Sequence, residues 1–170
     1  SKNRHIHTLV LVPTRELAVQ VTEVFNYFEK AFVDPIKIRA VYGGVSINPQ
    51  MMDMNNVSIL VATPGRLLDL VDHNALQLGS VAHLVLDEVD RLLDLGFVEE
   101  RNRVLALLPS KRQNLWFSAT FDASLQPLAD SMLHQPVRIE IAGSATTQHL
   151  ELAIHPRTIA VDEKKRTLLL

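Results

Sequence analysis

Short runs of apolar residues alternate along the chain with longer stretches in which apolar residues recur every three or four positions. The short runs are typical of buried strands, and the longer stretches are typical of helices that cover a sheet. The predicted strands occupy residues 7–12, 36–42, 58–62, 81–86, 112–117 and 137–141. Because strands that alternate with helices form right-handed βαβ units, this pattern predicts an α/β fold with a parallel sheet and helices on both faces.

Helix boundaries are marked by capping residues. Thr14 is expected to open a helix after the first strand, and Thr63 with Pro64 is expected to form the cap and first residue of another. Further helices are predicted over residues 47–54, from the end of the fourth strand to about residue 95, over 98–108 and around 125–133.

Four of the predicted strands end in the same way, by passing from apolar residues to small polar or charged ones. These transitions lead to Thr14, Thr63, Asp87 and Ser118. The carboxyl ends of parallel strands lie on one edge of the sheet, where ligands of open α/β folds bind. We therefore expect a single functional surface along that edge.

Composition narrows the class of protein. The chain has 170 residues, of which 47% are hydrophobic, and this suits one domain with a continuous core plus a short extra segment. No apolar run approaches the length of a membrane span, no signal peptide is evident, and cysteine is absent, so we expect a soluble, cytoplasmic protein. The net charge of −2 means that any contact with nucleic acid must be local.

Three carboxylates, Asp87, Glu88 and Asp90, follow the fourth predicted strand. Ionised carboxylates repel one another, so a partly buried cluster needs a cation, hydrogen-bond donors or a shared proton. Mg²⁺ would meet that need, because nucleotide hydrolases hold it with one or two carboxylates, water and substrate phosphates. The same residues also fit a solvated turn before a helix, where acidic side chains favour the positive end of the dipole. From these residues alone, both interpretations remain open.

Five short motifs occur in an order that resembles one known family. They lie at residues 13–18 (PTRELA), 43–44 (GG), 63–66 (TPGR), 87–90 (DEVD) and 118–120 (SAT). In order and spacing they resemble a DEAD-box ATP-dependent RNA helicase, and the phrases at 43–50 and 112–121 are similar to the bacterial RhlE-like subgroup. The resemblance implies that residues 1–142 are the first RecA-like domain, of the P-loop NTPase type. Residues 143–170 would be a linker and the start of a second RecA-like domain.

The resemblance implies that ATP and Mg²⁺ are the cofactors. Asp87 would hold Mg²⁺ through water, and Glu88 would orient or activate the attacking water. Asp90 would bond to the hydroxyls of Ser118 and Thr120 and so couple the nucleotide site to domain closure. Without the family pattern, a strand end followed by a helix cap is the favoured interpretation of Ser118 and Thr120.

The resemblance also implies an RNA-binding surface. Its residues are Pro13, Thr14, Arg15, Glu16, Gly43, Gly44, Thr63, Pro64, Gly65 and Arg66. Free helix amides, glycines and bidentate arginines suit phosphate, so we expect backbone contacts with little base specificity. Taken singly, each residue is better explained by ordinary capping or turn chemistry, whereas together they favour RNA binding.

Two departures from the family pattern lead to further expectations. None of the six glycines belongs to a Gly-x-x-x-x-Gly-Lys-Ser/Thr loop, and the adenine-reading Gln motif that precedes this loop in the family is missing too. We therefore expect a longer natural protein, and a chain that alone binds ATP weakly or not at all and neither hydrolyses it nor unwinds duplexes. Val89 stands where the family usually has Ala, and its extra methyl groups could be packed or could crowd the carboxylates.

Two other functional classes compete with a helicase. One is a catalytically silent RNA-binding or protein-docking module, which only an assay distinguishes. The other is an aspartate-dependent phosphatase, which would need a nucleophilic Asp early in the first strand, and residues 7–12 contain none.

Overall fold

The structure, a computed structural model, describes residues 4–94, 96–121 and 123–141, with only the backbone of Asp94. Five parallel strands make up the sheet in this part of the chain: β1 (Thr8–Leu11), β2 (Ile38–Val41), β3 (Ile59–Ala62), β4 (His83–Leu86) and β5 (Gln113–Trp116). They are adjacent in the order β2-β3-β1-β4-β5. The predicted parallel sheet is confirmed, and each of the first five predicted strands contains one observed strand.

Helices follow every strand, as the alternating pattern predicts. The described helices are α1 (Arg15–Glu29), α2 (Ile47–Met52), α3 (Pro64–Asp72), α4 (Val89–Asp94), α5 (Val98–Leu107) and α6 (Gln126–Met132). The hydroxyl of Thr14 accepts a hydrogen bond from the amide of Leu17 at 3.3 Å, which confirms Thr14 as the cap of α1. Thr63 occupies the cap position of α3, with Pro64 in its first turn, but its side chain makes no capping hydrogen bond.

The two faces of the sheet are both covered, because alternate side chains of a strand point to opposite faces. Leu9 and Leu11 of β1 belong to the larger core, which α3, α4, α5 and α6 cover. Val10 and Val12 belong to a smaller core, which α1 covers through Ala18. The prediction of helices on both faces is therefore confirmed. None of the described helices is long and apolar enough to cross a bilayer.

The chain divides into two units, Ser1–His134 and Gln135–Leu170. The first unit contains the sheet and all the helices given above. Only residues 135–141 of the second unit are described, so the boundary at residues 142 and 143 and the predicted start of a second domain lie outside the described residues.

The predicted sixth strand, over residues 137–141, is wrong. These residues form no ladder within the described part of the chain, and Val137, Ile139 and Ile141 are 88%, 84% and 92% exposed. Alternation of apolar residues gives the period of a strand, but a strand also needs a neighbour whose N–H and C=O groups pair with its own.

Candidate functional site

The five strands end level at the carboxyl edge of the sheet. Their last residues are register partners across the sheet, in the order Val41, Ala62, Leu11, Leu86 and Trp116. Backbone hydrogen bonds of 2.9–3.0 Å continue the pairing one residue further: Thr63 donates to Val41, Val12 to Ala62, Asp87 to Leu11 and Phe117 to Leu86. The segments that carry the predicted site residues therefore all leave the sheet at one edge.

This edge has two halves of different chemistry. We call the ends of β4 and β5 the acidic half, because Asp87, Glu88 and Asp90 follow β4, and Ser118 and Thr120 follow β5. We call the ends of β2, β3 and β1 the glycine half; it carries residues 43–44, 63–66 and 13–16. Since β1 and β4 are neighbours, the two halves are continuous.

Asp87 has neither an ion pair nor a hydrogen bond from another side chain within the described part of the chain. Its Oδ1 accepts a hydrogen bond from the amide of Glu88 at 3.0 Å. Burial raises the pKa of Asp87, the amide of Glu88 opposes that rise, and the Glu88 charge adds to it. No basic side chain in the described part of the chain contributes to this pKa. A divalent cation near Asp87 would relieve the cost of burying its charge.

Glu88 has an unusual backbone for its residue type. Its φ is +49°, in the left-handed region that costs an L residue about 1–2 kcal/mol. The turn directs the chain from β4 into α4, and the carbonyl of Glu88 accepts the amide of Leu92 at 3.0 Å. The Glu88 carboxylate pairs with Arg91 at 3.0 Å, a partly exposed contact that sequence reasoning missed although the i,i+3 spacing is typical of such pairs.

The methyl groups of Val89 are packed in the core and do not crowd the carboxylates. The side chain is 2% exposed and belongs to the larger core, so it packs away from the carboxylates. Its amide donates to the carbonyl of Phe117 at 3.1 Å, which ties α4 to the end of β5.

Asp90 bonds to the segment that follows β5. Its Oδ2 accepts from the hydroxyl of Thr120 at 2.8 Å and from the amide of Thr120 at 3.1 Å. Partial burial acts to raise the pKa of Asp90, but hydrogen bonds from Thr120, the amide of Arg91 and Ser118 together lower it below its ordinary value. The hydroxyl of Ser118 also donates to the carbonyl of Thr120 at 2.5 Å.

The three carboxylates therefore lie in three different environments. Within the described residues, no group of three or more His, Asp or Glu side chains could hold a metal ion. Asp90 is bonded to hydroxyls and amides, Glu88 pairs with Arg91, and Asp87 remains for a cation. This suits Mg²⁺ held by one carboxylate, water and substrate phosphates better than a closed protein cage.

In the glycine half, the start of α1 contacts the end of β2. The guanidinium of Arg15 lies 5.0 Å from the ring centroid of Tyr42, within cation–π range. Both Arg15 and Glu16 are exposed, whereas Pro13 is buried and Thr14 is half-buried.

The turn after β2 is held at one end by a residue that sequence reasoning missed. Gln50 accepts from the amide of Tyr42 at 3.3 Å and donates to its carbonyl at 3.2 Å. Gly44, with a φ of +78°, needs glycine, whereas a Cβ on Gly43 would meet nothing within 4 Å. No sequence signal distinguishes Gln50 from other polar helix residues.

The start of α3 presents an open glycine and a buried arginine. A Cβ on Gly65 would meet nothing within 4 Å, and Gly65 has no positive φ, so packing within the described chain does not require glycine there. Arg66 was expected to face RNA, but its side chain is only 8% exposed. Its Nη2 donates to the carbonyl of Val45 at 2.7 Å, in the turn after β2.

A parallel sheet of this order, with carboxylates after β4 and a Ser/Thr segment after β5, defines a RecA-like α/β domain. The model of the DEAD/DEAH box helicase family matches residues 1–128, and the chain belongs to that family.

Several relatives and one solved structure are similar to this chain. It is 35% identical over 166 residues to the ATP-dependent RNA helicase CshA of Listeria monocytogenes, a match that covers 97% of this chain and 31% of that protein. It is 39% identical over 151 residues to the DEAD-box ATP-dependent RNA helicase 20 of Oryza sativa subsp. japonica, covering 85% and 30%. The crystal structure of a DEAD box protein from the hyperthermophile Methanococcus jannaschii matches with a TM-score of 0.71 and 34% identity, covering 79% of this chain and 37% of that one. The chain thus spans about a third of the length of these curated relatives.

Proposed function

We propose that the protein acts as part of an ATP-dependent RNA helicase, in which RNA-stimulated ATP hydrolysis is coupled to local unwinding of an RNA duplex. The observation that carries this proposal is the shared edge of the sheet. Asp87, which has no basic partner among the described residues, the Asp90–Thr120 bonds and the open glycine corners all follow strands that end at the same level. The relatives CshA and helicase 20 are named ATP-dependent RNA helicases, which supports the same function.

In the proposed nucleotide site, Asp87 would hold Mg²⁺ through water. When bound, the ion would neutralise charge on the phosphoryl oxygens of ATP. Glu88 would orient and polarise the attacking water, because its carboxylate follows directly after Asp87 and is partly exposed. Arg91 would hold the Glu88 side chain in a defined rotamer through their ion pair.

The Asp90 contacts would couple this site to movement. Ser118 and Thr120 lie on the segment after β5, and their hydrogen bonds with Asp90 make that segment and the start of α4 one unit. A shift of either element would then be transmitted to Glu88, two residues before Asp90.

The glycine half would bind the RNA backbone. Gly43 and Gly65 leave room for close approach, and the first amides of α3 and α1 lack partners within their helices. Exposed Arg15 would pair with phosphate. Contacts of this kind recognise sugar and phosphate, so the proposed binding has little sequence specificity.

The proposal extends to the whole protein. In the complete polypeptide, a second RecA-like domain would complete the motor. The 170-residue chain alone would not turn over ATP. The protein would be cytoplasmic. The phrases at residues 43–50 and 112–121 support a place in the RhlE-like bacterial subgroup.

A charge-removing substitution in the complete protein that carries this chain tests the proposal. Glu88→Gln should retain ATP and RNA binding and lose RNA-stimulated hydrolysis by about 10²–10⁴-fold, the range of a positioned acid or base. Glu23→Gln, at an exposed position of α1, is the matched control and should be unchanged. Unchanged turnover in Glu88→Gln would contradict the role assigned to Glu88. A complete wild-type protein that binds RNA without turning over ATP would instead favour a non-catalytic RNA-binding or docking module.

A further inference from the structure

The side chain of Arg66 is buried, whereas a residue that binds RNA directly would be exposed. Its side chain is 8% exposed, its Nη2 donates to Val45 O at 2.7 Å, and its Nε lies 3.5 Å from the carboxylate of Asp69 one turn further along α3. The Nε and Nη1 atoms are buried without a hydrogen-bond partner among the described residues. Moving this guanidinium would break its hydrogen bond to the Val45 carbonyl and its ion pair with Asp69, whose side chain is 59% exposed.

The carbonyl that Arg66 contacts belongs to the turn between β2 and α2. Val45 follows Gly44 directly, and Ser46, the cap residue of α2, makes no side-chain capping bond. At the other end of the turn, Gln50 bonds to both backbone groups of Tyr42. The turn is thus held from both sides, by Gln50 and by Arg66.

The contact also joins two separate corners of the glycine half. Residues 45 and 66 are 21 positions apart, and they follow β2 and β3, which are adjacent strands. Arg66 therefore fixes the distance between the turn that contains Gly43 and Gly44 and the open start of α3.

We propose that Arg66 is a positioning residue, which holds the turn at residues 43–45 against the start of α3 and does not itself contact RNA phosphate. Phosphate contacts in the glycine half are then made by exposed Arg15 and by the open amides near Gly65. The function of the contact in RNA binding rests on the proposed function above, but the contact itself is testable without RNA.

The wild-type protein allows the first test, which avoids any folding defect. An arginine-selective dicarbonyl reagent, with modified sites mapped by mass spectrometry, should modify Arg15 and Arg103 readily and Arg66 slowly, both without and with a single-stranded RNA oligonucleotide. Modification of Arg66 as fast as Arg103 in free protein, with protection only when RNA is bound, would overturn the proposal.

Hydrogen exchange in Arg66→Met tests the positioning directly. Loss of a hydrogen bond from a charged donor changes an equilibrium constant by at least about tenfold. The equilibrium for local opening of the turn should shift by that factor, so amide exchange across residues 42–51 should become at least about tenfold faster. Arg103→Met is the control: it removes the exposed ion pair with Asp72, which lies at the carboxyl end of α3, the helix that carries Arg66. Exchange across residues 42–51 should be unchanged in this variant. Equal exchange in wild type and Arg66→Met would show that the contact positions nothing.

The salt dependence of RNA binding separates positioning from phosphate contact. Loss of one phosphate contact lowers the slope of log K against log salt concentration by about 1. Arg66→Met should weaken binding about tenfold or more with an unchanged slope, whereas Arg15→Met should lower the slope. A slope lowered by Arg66→Met would refute the proposal. Should the wild-type protein bind no RNA, the proposed function fails, and the modification and exchange experiments still decide whether Arg66 holds the turn.

Discussion

Thr120 donates two hydrogen bonds to one oxygen of Asp90, 30 residues earlier in the chain, at 2.8 Å from its hydroxyl and 3.1 Å from its amide. The contact joins the segments that leave the two neighbouring strands β4 and β5. It makes the acidic half of the carboxyl edge one structural unit.

Removing the Thr120 hydroxyl should weaken that unit without destroying it. Thr120→Val should lower the free energy of unfolding by about 1 kcal/mol, because one exposed hydrogen bond to a carboxylate is lost and the amide bond remains. Thr22→Val is the matched control, since the hydroxyl of Thr22 is buried without a partner and its removal should not destabilise. Urea denaturation of both variants measures the difference, and equal losses would show that the contact contributes nothing.

Asp90 should contribute to stability only when it is ionised. Because the pKa of Asp90 in the folded protein lies below its ordinary value of 3.8, its contribution is present above pH 3.8 and is lost as the pH falls through the lower, folded-state pKa. The stability difference between wild type and Asp90→Asn should therefore shrink in acid. Thermal unfolding from pH 7 down to pH 2 measures it, and a difference that stays constant would contradict the assigned pKa direction.

Asp87 should behave in the opposite sense. Its pKa is raised by burial, so ionisation above the ordinary value of 3.8 costs folding stability. In nucleotide-free protein, Asp87→Asn should raise the unfolding midpoint at pH 7, and the gain should vanish below pH 3.8. Asp34→Asn, at an exposed position, serves as control and should show no such gain. A midpoint at pH 7 below that of wild type would mean that the ionised carboxylate is satisfied within the chain.

Three glycines should respond differently to a methyl group. Gly44→Ala should cost about 1–2 kcal/mol of stability, because a φ of +78° strains an L residue. Gly65→Ala should keep or slightly raise stability, since it lies in a helix, yet weaken RNA binding about tenfold or more by blocking backbone approach. Gly79→Ala, equally open and outside the site, should change neither property. RNA affinity of Gly65→Ala equal to that of Gly79→Ala would remove Gly65 from the proposed surface.

The sheet itself depends on its central strand. Leu9→Ala should destabilise the protein by about 2–5 kcal/mol, because Leu9 is fully buried in the larger core. Val33→Ala, at a side chain that is 100% exposed, should change stability by no more than about 0.5 kcal/mol. Urea denaturation distinguishes the two, and a small effect of Leu9→Ala would place β1 outside the core.

The fold was predictable because the ends of four strands are marked in the sequence itself. The change from apolar to polar residues before Thr14, Thr63, Asp87 and Ser118 is local, and parallel pairing then brings those ends to one edge. The motif resemblance pointed further, to a link between Asp90 and Thr120, and the structure contains that bond.

The features that the sequence could not predict are contacts between residues that only the folded chain brings together. Arg66 contacts Val45, 21 residues earlier, across the ends of the adjacent strands β2 and β3. Gln50 contacts Tyr42, eight residues earlier, across the turn between β2 and α2. The alternation at residues 137–141 predicted a strand, but periodicity carries no information about a pairing neighbour.

The central claim is that one edge carries two separable activities, catalysis in the acidic half and RNA binding in the glycine half. Titration of ATP turnover with RNA in the complete protein tests it most directly. Glu88→Gln should lower the maximal rate with the half-saturating RNA concentration unchanged. Gly65→Ala should raise the half-saturating RNA concentration with the maximal rate unchanged. A titration in which both variants alter the same parameter, or neither alters any, would contradict this account.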